Sequence, residues 1–312
     1  MRRLTLYIVV LIILSLSCGL FTPASNPNPQ PASLTPVIGV TETVLPPETF
    51  TPVPTLTVGA PTVPPPPPVA EPPEAGYLLQ EERLINGYAI RIWRNPDDQL
   101  GFDSILLIEA AGQPPIRVDM VSALDDLTGT DLNADGYPDL VVETYSGGAH
   151  CCFGTQVFSL RPSGAALILQ KPESNAGGTF EDLNSDGISE FITYDDSFAY
   201  KYCPYAAGVA VKVIMAYDPG QDRYIPASPR FPDQYTDEIA TDESRALAAP
   251  GELGEWGGAN ICAVLPLALD YLYTGQPDRA RTEFYNRYSG LNADLKWDEV
   301  LQVVQGSPLY TL

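Results

Sequence analysis

Histidine is nearly absent from this chain: His150 stands alone among 312 residues. A Ser-His-Asp relay therefore has a single possible base, and no order of serine and acid around it is persuasive. Basic residues are scarce too, 17 Lys and Arg against 39 Asp and Glu, for a formal net charge of −22. That sign makes nucleic acid a poor partner, because a phosphate backbone is repelled. No glycine-rich loop of the phosphate-cradling kind occurs, and no closely spaced carboxylate pair stands apart from the two acidic loops described below.

Residues 19–76 lack almost every aromatic side chain that could seed a core and consist instead of Pro, Thr, Ser, Val and Ala, with the run PTVPPPPPVA. Such a stretch favours solvated polyproline conformations. It reads as a tether, although proline-rich segments also serve as ligands for partner domains. Ahead of it, Arg2 and Arg3 precede an uncharged apolar run from Leu4 to Leu16, the layout of a secretory signal over residues 1–18. The run is short for a membrane span. It ends LSLSC, and the small Ser17 directly before Cys18 resembles a bacterial lipobox, with Ser15 where leucine is usual. The resemblance implies a lipid on Cys18, and through it a membrane anchor at the outer face of the cytoplasmic membrane or the cell surface. A cleaved signal and an uncleaved anchor are the alternatives, and all three send the remainder out of the cytoplasm.

From Tyr77 onward the chain is long enough for one sizeable domain or two small ones. Over residues 77–232 the texture is that of an antiparallel β-meander. Asn86-Gly87 between two β-forming runs is a hairpin signal, since both residues tolerate positive φ. SILLIEAAGQPPIRVDM and TQVFSLRPSGAALILQK repeat the pattern with looser turns, and further strands are expected over Leu140–Tyr145, Glu190–Tyr194 and Val209–Tyr217. Residues 233–312 turn helical: two helices flank Gly275, with Pro277 suited to a first turn, and a last helix is expected over Leu295–Val304 with Asp294 as N-cap. Leu267, Ala268, Tyr271, Gly275, Ala280 and Phe284 carry the spacing of one tetratricopeptide-like hairpin, which resembles such a unit but equally fits an ordinary helical pair.

Four cysteines follow the tether, Cys151, Cys152, Cys203 and Cys262, and an even count in an oxidising compartment points to disulfides. YSGGAHCCFG is open to three readings. As a nucleophilic site, adjacent His150 and Cys151 would point to opposite sides of an extended chain. As a zinc site, no fourth ligand stands at ordinary spacing. As a disulfide node, Cys151 and Cys152 would reach Cys203 and Cys262 separately, the preferred pairing, while a bridge between the neighbours is possible but strained. Gly147, Gly148 and His150 also form a candidate ligand rim beside the first acidic loop. The cluster DDSFAYKYCPY offers Phe198, Tyr200, Tyr202 and Tyr205 either as a sugar-stacking platform or, preferably, as a half-buried edge strand, and Trp256 anchors a turn.

The most specific signal is a pair of segments, DLNADGYPDLVV from residue 131 and DLNSDGISEFIT from residue 182. In the first, Asp131, Asn133, Asp135 and Asp139 with the Tyr137 carbonyl form a set of hard oxygens around one centre. The second offers Asp182, Asn184, Asp186, the Ile188 carbonyl and Glu190. Without a cation the clustered carboxylates repel one another; a metal-free Asx-rich turn is the other reading. An EF-hand needs a glutamate at the twelfth position, where Val142 and Thr193 stand, and these loops run into strands rather than helices. The combination resembles the FG-GAP and VCBS-type repeats of integrin-like propellers, over roughly residues 127–198. The resemblance implies calcium as a structural cofactor and a partial or degenerate propeller: a closed one needs about four blades or more, and the β-texture supplies about three.

The expected protein is thus mainly β, a blade-like antiparallel meander with a small α-helical C-terminal unit. Its expected role is non-catalytic binding or scaffolding toward an extracellular glycan or protein. The alternative is an extracytoplasmic hydrolase of polysaccharide or peptide with a pocket near His150; a docking module built on the helical hairpin is a third reading.

Overall fold

The computed structural model describes residues 68–148, 151–204, 208–249 and 260–311. The signal segment, Cys18, most of the tether, His150, Tyr205 and Trp256 lie outside these residues. Among the described residues twelve strands form three four-stranded sheets, each an antiparallel meander in chain order. Sheet 1 holds β1 (Leu78–Ile85), β2 (Tyr88–Arg94), β3 (Ser104–Ala110) and β4 (Ile116–Asp119). Sheet 2 holds β5 (Val121–Leu124), β6 (Asp139–Gly148), β7 (Cys151–Arg161) and β8 (Gly164–Ser174). Sheet 3 holds β9 (Thr179–Glu181), β10 (Glu190–Asp195), β11 (Val211–Asp218) and β12 (Arg223–Pro226). Among the described residues four α-helices follow, α1 (Thr236–Ala248), α2 (Ile261–Tyr273), α3 (Pro277–Arg287) and α4 (Ala293–Gly306). The mainly β class and the small helical unit agree with the sequence pattern, and the β1–β2 turn has φ of 47° at Asn86 and 83° at Gly87.

Sheet 2 is the middle layer because its strands are apolar on both faces. Leu140, Val142, Phe158 and Leu160 share a core with Ile90, Ile92, Leu106 and Ile108 of sheet 1. The alternate residues Val141, Val157 and Leu169 pack with Val211, Val213 and Met215 of sheet 3 and with Leu265, Leu269, Phe284 and Val300 of the helices. Strand alternation sends successive side chains to opposite faces, so a run such as LVV at 140–142 serves two interfaces. The stack stops at sheet 1, where Arg91 lies between Glu82 (2.6 Å) and Glu109 (2.7 Å) instead of an apolar partner layer. At the other end Ile214 and Ala216 of β11 are covered by Ala227, Phe231 and Tyr235.

Covalent and polar ties hold the helices to sheet 3. Cys203 bonds to Cys262 in the first turn of α2, and Cys151 bonds to Cys152. This corrects the separate pairings expected for the two neighbours: Cys203 and Cys262, 5.8 Å apart at Cα, already satisfy each other. Asp195 at the end of β10 accepts from the Tyr273 hydroxyl at 2.6 Å, from Ser197, and from Ser307 beyond α4. Two local expectations also change. The Phe198–Tyr202 segment is a run of turns, with Phe198 buried, because Asp195 caps the chain's exit from β10 through Ser197. Helix α4 starts one residue earlier than Asp294, which accepts a bond from Tyr285 while Asn292 takes the N-cap position at φ 56°.

Asp270 of α2 is 4% exposed, and burial, with the Asp242 and Glu238 charges of α1 outweighing Lys212 of β11, pushes its carboxyl up to about 8. Its folded form keeps a proton that the unfolded chain releases near pH 4, so stability is full below about pH 4 and falls as pH rises toward 8. Replacing Asp270→Asn should flatten that slope and raise the unfolding free energy at pH 8 by on the order of 2 kcal/mol, as read from urea melts at several pH values. An unchanged slope would contradict the assignment. Removing the Cys203–Cys262 bond by double serine substitution, at a sequence separation of 59, should cost about 3 kcal/mol; a melt at oxidising and reducing conditions reads it, the reduced wild type matching the variant.

Candidate functional site

Both acidic segments occupy the same place in their sheets. Residues 125–138 join β5 to β6, and residues 182–189 join β9 to β10, so each is the first connection of its meander. Their hydrogen bonds match position for position. Asp131 accepts from the Asp135 N–H (3.1 Å) and Gly136 N–H (2.8 Å); Asp182 accepts from Asp186 (3.1 Å) and Gly187 (3.0 Å). Asn133 and Asn184 accept from the amides of Asp135 and Asp186. Asp135 and Asp186 accept in turn from Tyr137 and Ile188. The ninth-position acids close the loops, Asp139 accepting from Leu132 N–H at 2.8 Å and Glu190 from Leu183 N–H at 2.9 Å.

Backbone conformation explains the residue pattern. Gly136 and Gly187 both sit at φ 88°, where a side chain is strained, and Ala134 and Ser185 enter the left-handed region at 56° and 62°. The glycine was expected from the sequence. The left-handed fourth position carries no sequence mark, since Ala and Ser are ordinary there.

The first loop buries one of its acids, and among the described residues no three or more His, Cys, Asp or Glu side chains are gathered into a group that could hold a metal ion. Asp139 is fully buried, and its Oδ1 has no hydrogen-bond partner among the described residues. Burial, opposed by the Leu132 bond and reinforced by the Asp135 and Asp131 charges, pushes its carboxyl up to about 7. That orphaned carboxylate oxygen, on a group that also feels the Asp135 and Asp131 charges, is an open acceptor position in the loop. Burial likewise raises Glu190, with the Asp186 and Asp182 charges adding to it. For Asp135 burial opposes ionisation, but bonds from Ser159, Tyr137 and Arg161 outweigh it and hold the carboxyl below its ordinary range.

Several members of the site have no signature in the sequence. Ser159 Oγ and Arg161 Nε each lie 2.8 Å from Asp135 Oδ2, and Arg161 continues to Asp222 in the β11–β12 turn at 2.6 Å. Ser159 and Arg161 stand 24 and 26 residues beyond Asp135, brought to it by the pairing of Asp139 with Ser159 across β6 and β7, and Asp222 stands a further 61 residues beyond Arg161. Tyr224 of β12 places its hydroxyl 3.0 Å from Ser189 O and 3.3 Å from Leu132 O.

The proposed rim is not beside this loop. β6 runs ten residues from Asp139 to Gly148, so Gly147 and Gly148 stand about 30 Å of strand away, at roughly 3.3 Å per residue. There Tyr145 stacks on Phe153 at 4.7 Å, Phe102 meets Tyr145 edge-on at 5.4 Å, and the Tyr145 hydroxyl donates to Gly148 O. Sequence adjacency misled because β6 carries the chain the length of a strand, with an irregularity only between Tyr145 and Gly148.

No protein-family model matches the chain, and no solved structure matches it. The chain is similar to a protein of Synechocystis described as a probable thylakoid lumen protein, 35% identical over 105 residues, which are 33% of this chain and 31% of that one. It is also similar to an uncharacterized protein of Sinorhizobium fredii, 29% identical over 115 residues, 36% of this chain and 18% of that one. The chain thus spans about a third or less of the length of the curated relatives it matches.

The Arg161 bridge generates a direct test. Arg161→Gln should cost roughly 2 kcal/mol of stability in chelator by releasing two charge-assisted partners, measured by urea denaturation. A variant as stable as the wild type would show the bridge to be incidental.

Proposed function

We propose that this is an extracytoplasmic binding or scaffold module whose β-stack is braced by calcium in the two acidic loops and carried, through a lipid on Cys18 and the proline-rich tether, at a membrane surface. The observation that carries the reading is the buried, unpartnered Oδ1 of Asp139 inside a loop whose hydrogen bonds recur around Asp182. Asp131, Asn133, Asp135, Asp139 and the Tyr137 carbonyl would hold one ion; Asp182, Asn184, Asp186, Glu190 and the Ile188 carbonyl would hold the other. A bound cation supplies charge neutralisation there, and the residues supply the oxygen cage. The resemblance to FG-GAP and VCBS-type blades belongs to the same reading and is supported by the loops' shared position as first connections. The location is supported by the N-terminal signal pattern and by the printed description of the Synechocystis relative. Partners of this surface would be extracellular glycans or proteins.

The test sets Asp139→Asn against the wild type with and without calcium. Saturating calcium should raise the wild-type melting temperature by about 5–10 °C. The variant loses a ligand and also a buried charge, so in chelator it should be more stable than the wild type by about 1 kcal/mol, and calcium should raise it much less. A wild type indifferent to calcium and chelator would falsify the proposal.

A further inference from the structure

Resting on the calcium reading above, we infer that the two loops are one coupled device: filling either site raises the affinity of the other, and Tyr224 with the Ser189–Leu132 hydrogen bond carries the coupling. The Ser189 N–H donates to Leu132 O at 2.8 Å, joining the second loop directly to the first. The peptide unit that bears this N–H also bears the Ile188 carbonyl, the seventh-position ligand of the second site. A peptide whose carbonyl oxygen is engaged by a cation or a strong donor becomes a better donor through its N–H. Leu132, which receives that bond, is the residue whose own N–H holds Asp139 at 2.8 Å.

The route therefore runs from one site's carbonyl ligand to the other site's buried carboxylate through one peptide unit, Leu132 and two hydrogen bonds. The Tyr224 hydroxyl clamps the crossing by sharing its proton between Ser189 O at 3.0 Å and Leu132 O at 3.3 Å. It is buried, and the Asp139 and Glu190 charges both act on it, so the closing acids of the two loops face the same group. Order imposed on one loop is inherited by its neighbour, because the atoms that fix the two loops are shared.

The experiment is calorimetric titration of calcium into the chelator-stripped full chain. Wild type should fill two sites cooperatively. Asp186→Asn, which weakens the second site while keeping its amide-accepting oxygen, should lower the first site's affinity about fivefold, and Asp131→Asn should lower the second's by the same factor, as linkage requires. Tyr224→Phe should leave two sites that fill with reduced coupling. Near-UV circular dichroism reports whether each variant keeps its fold, and if the loop variants do not, Tyr224→Phe, which removes one oxygen, decides the question alone. Two sites that fill independently in the wild type, or a first-site affinity unmoved by Asp186→Asn, overturn the coupling and leave the calcium reading standing. Absence of any calcium heat in the wild type removes both.

Discussion

Asp139 is the last residue of the first acidic loop and the first residue of β6, and its buried carboxyl binds those two roles together. Through the bond from Leu132 N–H it sets the loop's curvature. Through its pairing with Ser159 it sets the register of β6 on β7. That register brings Ser159 and Arg161 to Asp135, so the loop's charge balance depends on strand pairing and the pairing begins where the loop ends. A slip of one residue would turn every side chain of β6 to the opposite face, exchanging the core with sheet 1 for the core with sheet 3. The acidic loop is thus a register device as well as a candidate ion cage.

The middle position of sheet 2 explains why its register matters so much. With apolar residues on both faces of β6 and β7, neither face tolerates displacement, and sheets 1 and 3 inherit their placement from it. The helices inherit theirs from sheet 3, through Asp195 and the Cys203–Cys262 bond. The placement therefore passes from loop to strand, from strand to sheet, and from sheet to helical unit.

The elements most legible in the sequence were those specified by neighbouring residues. Asn86-Gly87 fixed a hairpin, Gly275 and Pro277 marked the break between α2 and α3, and the spacing of Asp131, Asn133, Asp135 and Gly136 described the loop's curvature. Short strands escaped notice: β5 and β9 have four and three residues, too few for alternation to register, and they are strands because β6 and β10 pair with them. Long-range partners escaped for a related reason. Arg161, Asp222 and Tyr224 carry ordinary side chains at ordinary strand ends, and only the stacking of sheets makes them neighbours of the acids. The cysteine pairing failed on the same point, since nothing local in Cys203 or Cys262 announces that the turn after β10 meets the start of α2.

The first connections of all three sheets lie at one end of the stack, and their chemistry scales with their length. In sheet 1 the connection is two residues, and the Asn86 side chain donates to Leu160 O at 2.6 Å while Tyr88 donates to Arg161 O. Leu160 N–H in turn donates to Pro138 O of the first acidic loop, and that loop accepts Ser189 N–H from the second. A short turn satisfies its own backbone and needs no charge. Longer connections in this row must curl their amides around side-chain oxygens, and the oxygens that accept several amides at once are carboxylates. Concentrated carboxylates repel one another, and a positive partner relieves that repulsion. The first loop finds part of one in Arg161, whereas among the described residues no ion pair reaches Asp182, Asp186 or Glu190. The acid content of these loops thus follows from the backbone they must satisfy, and the loop that has no arginine carries its acids with hydrogen bonds alone among the described residues.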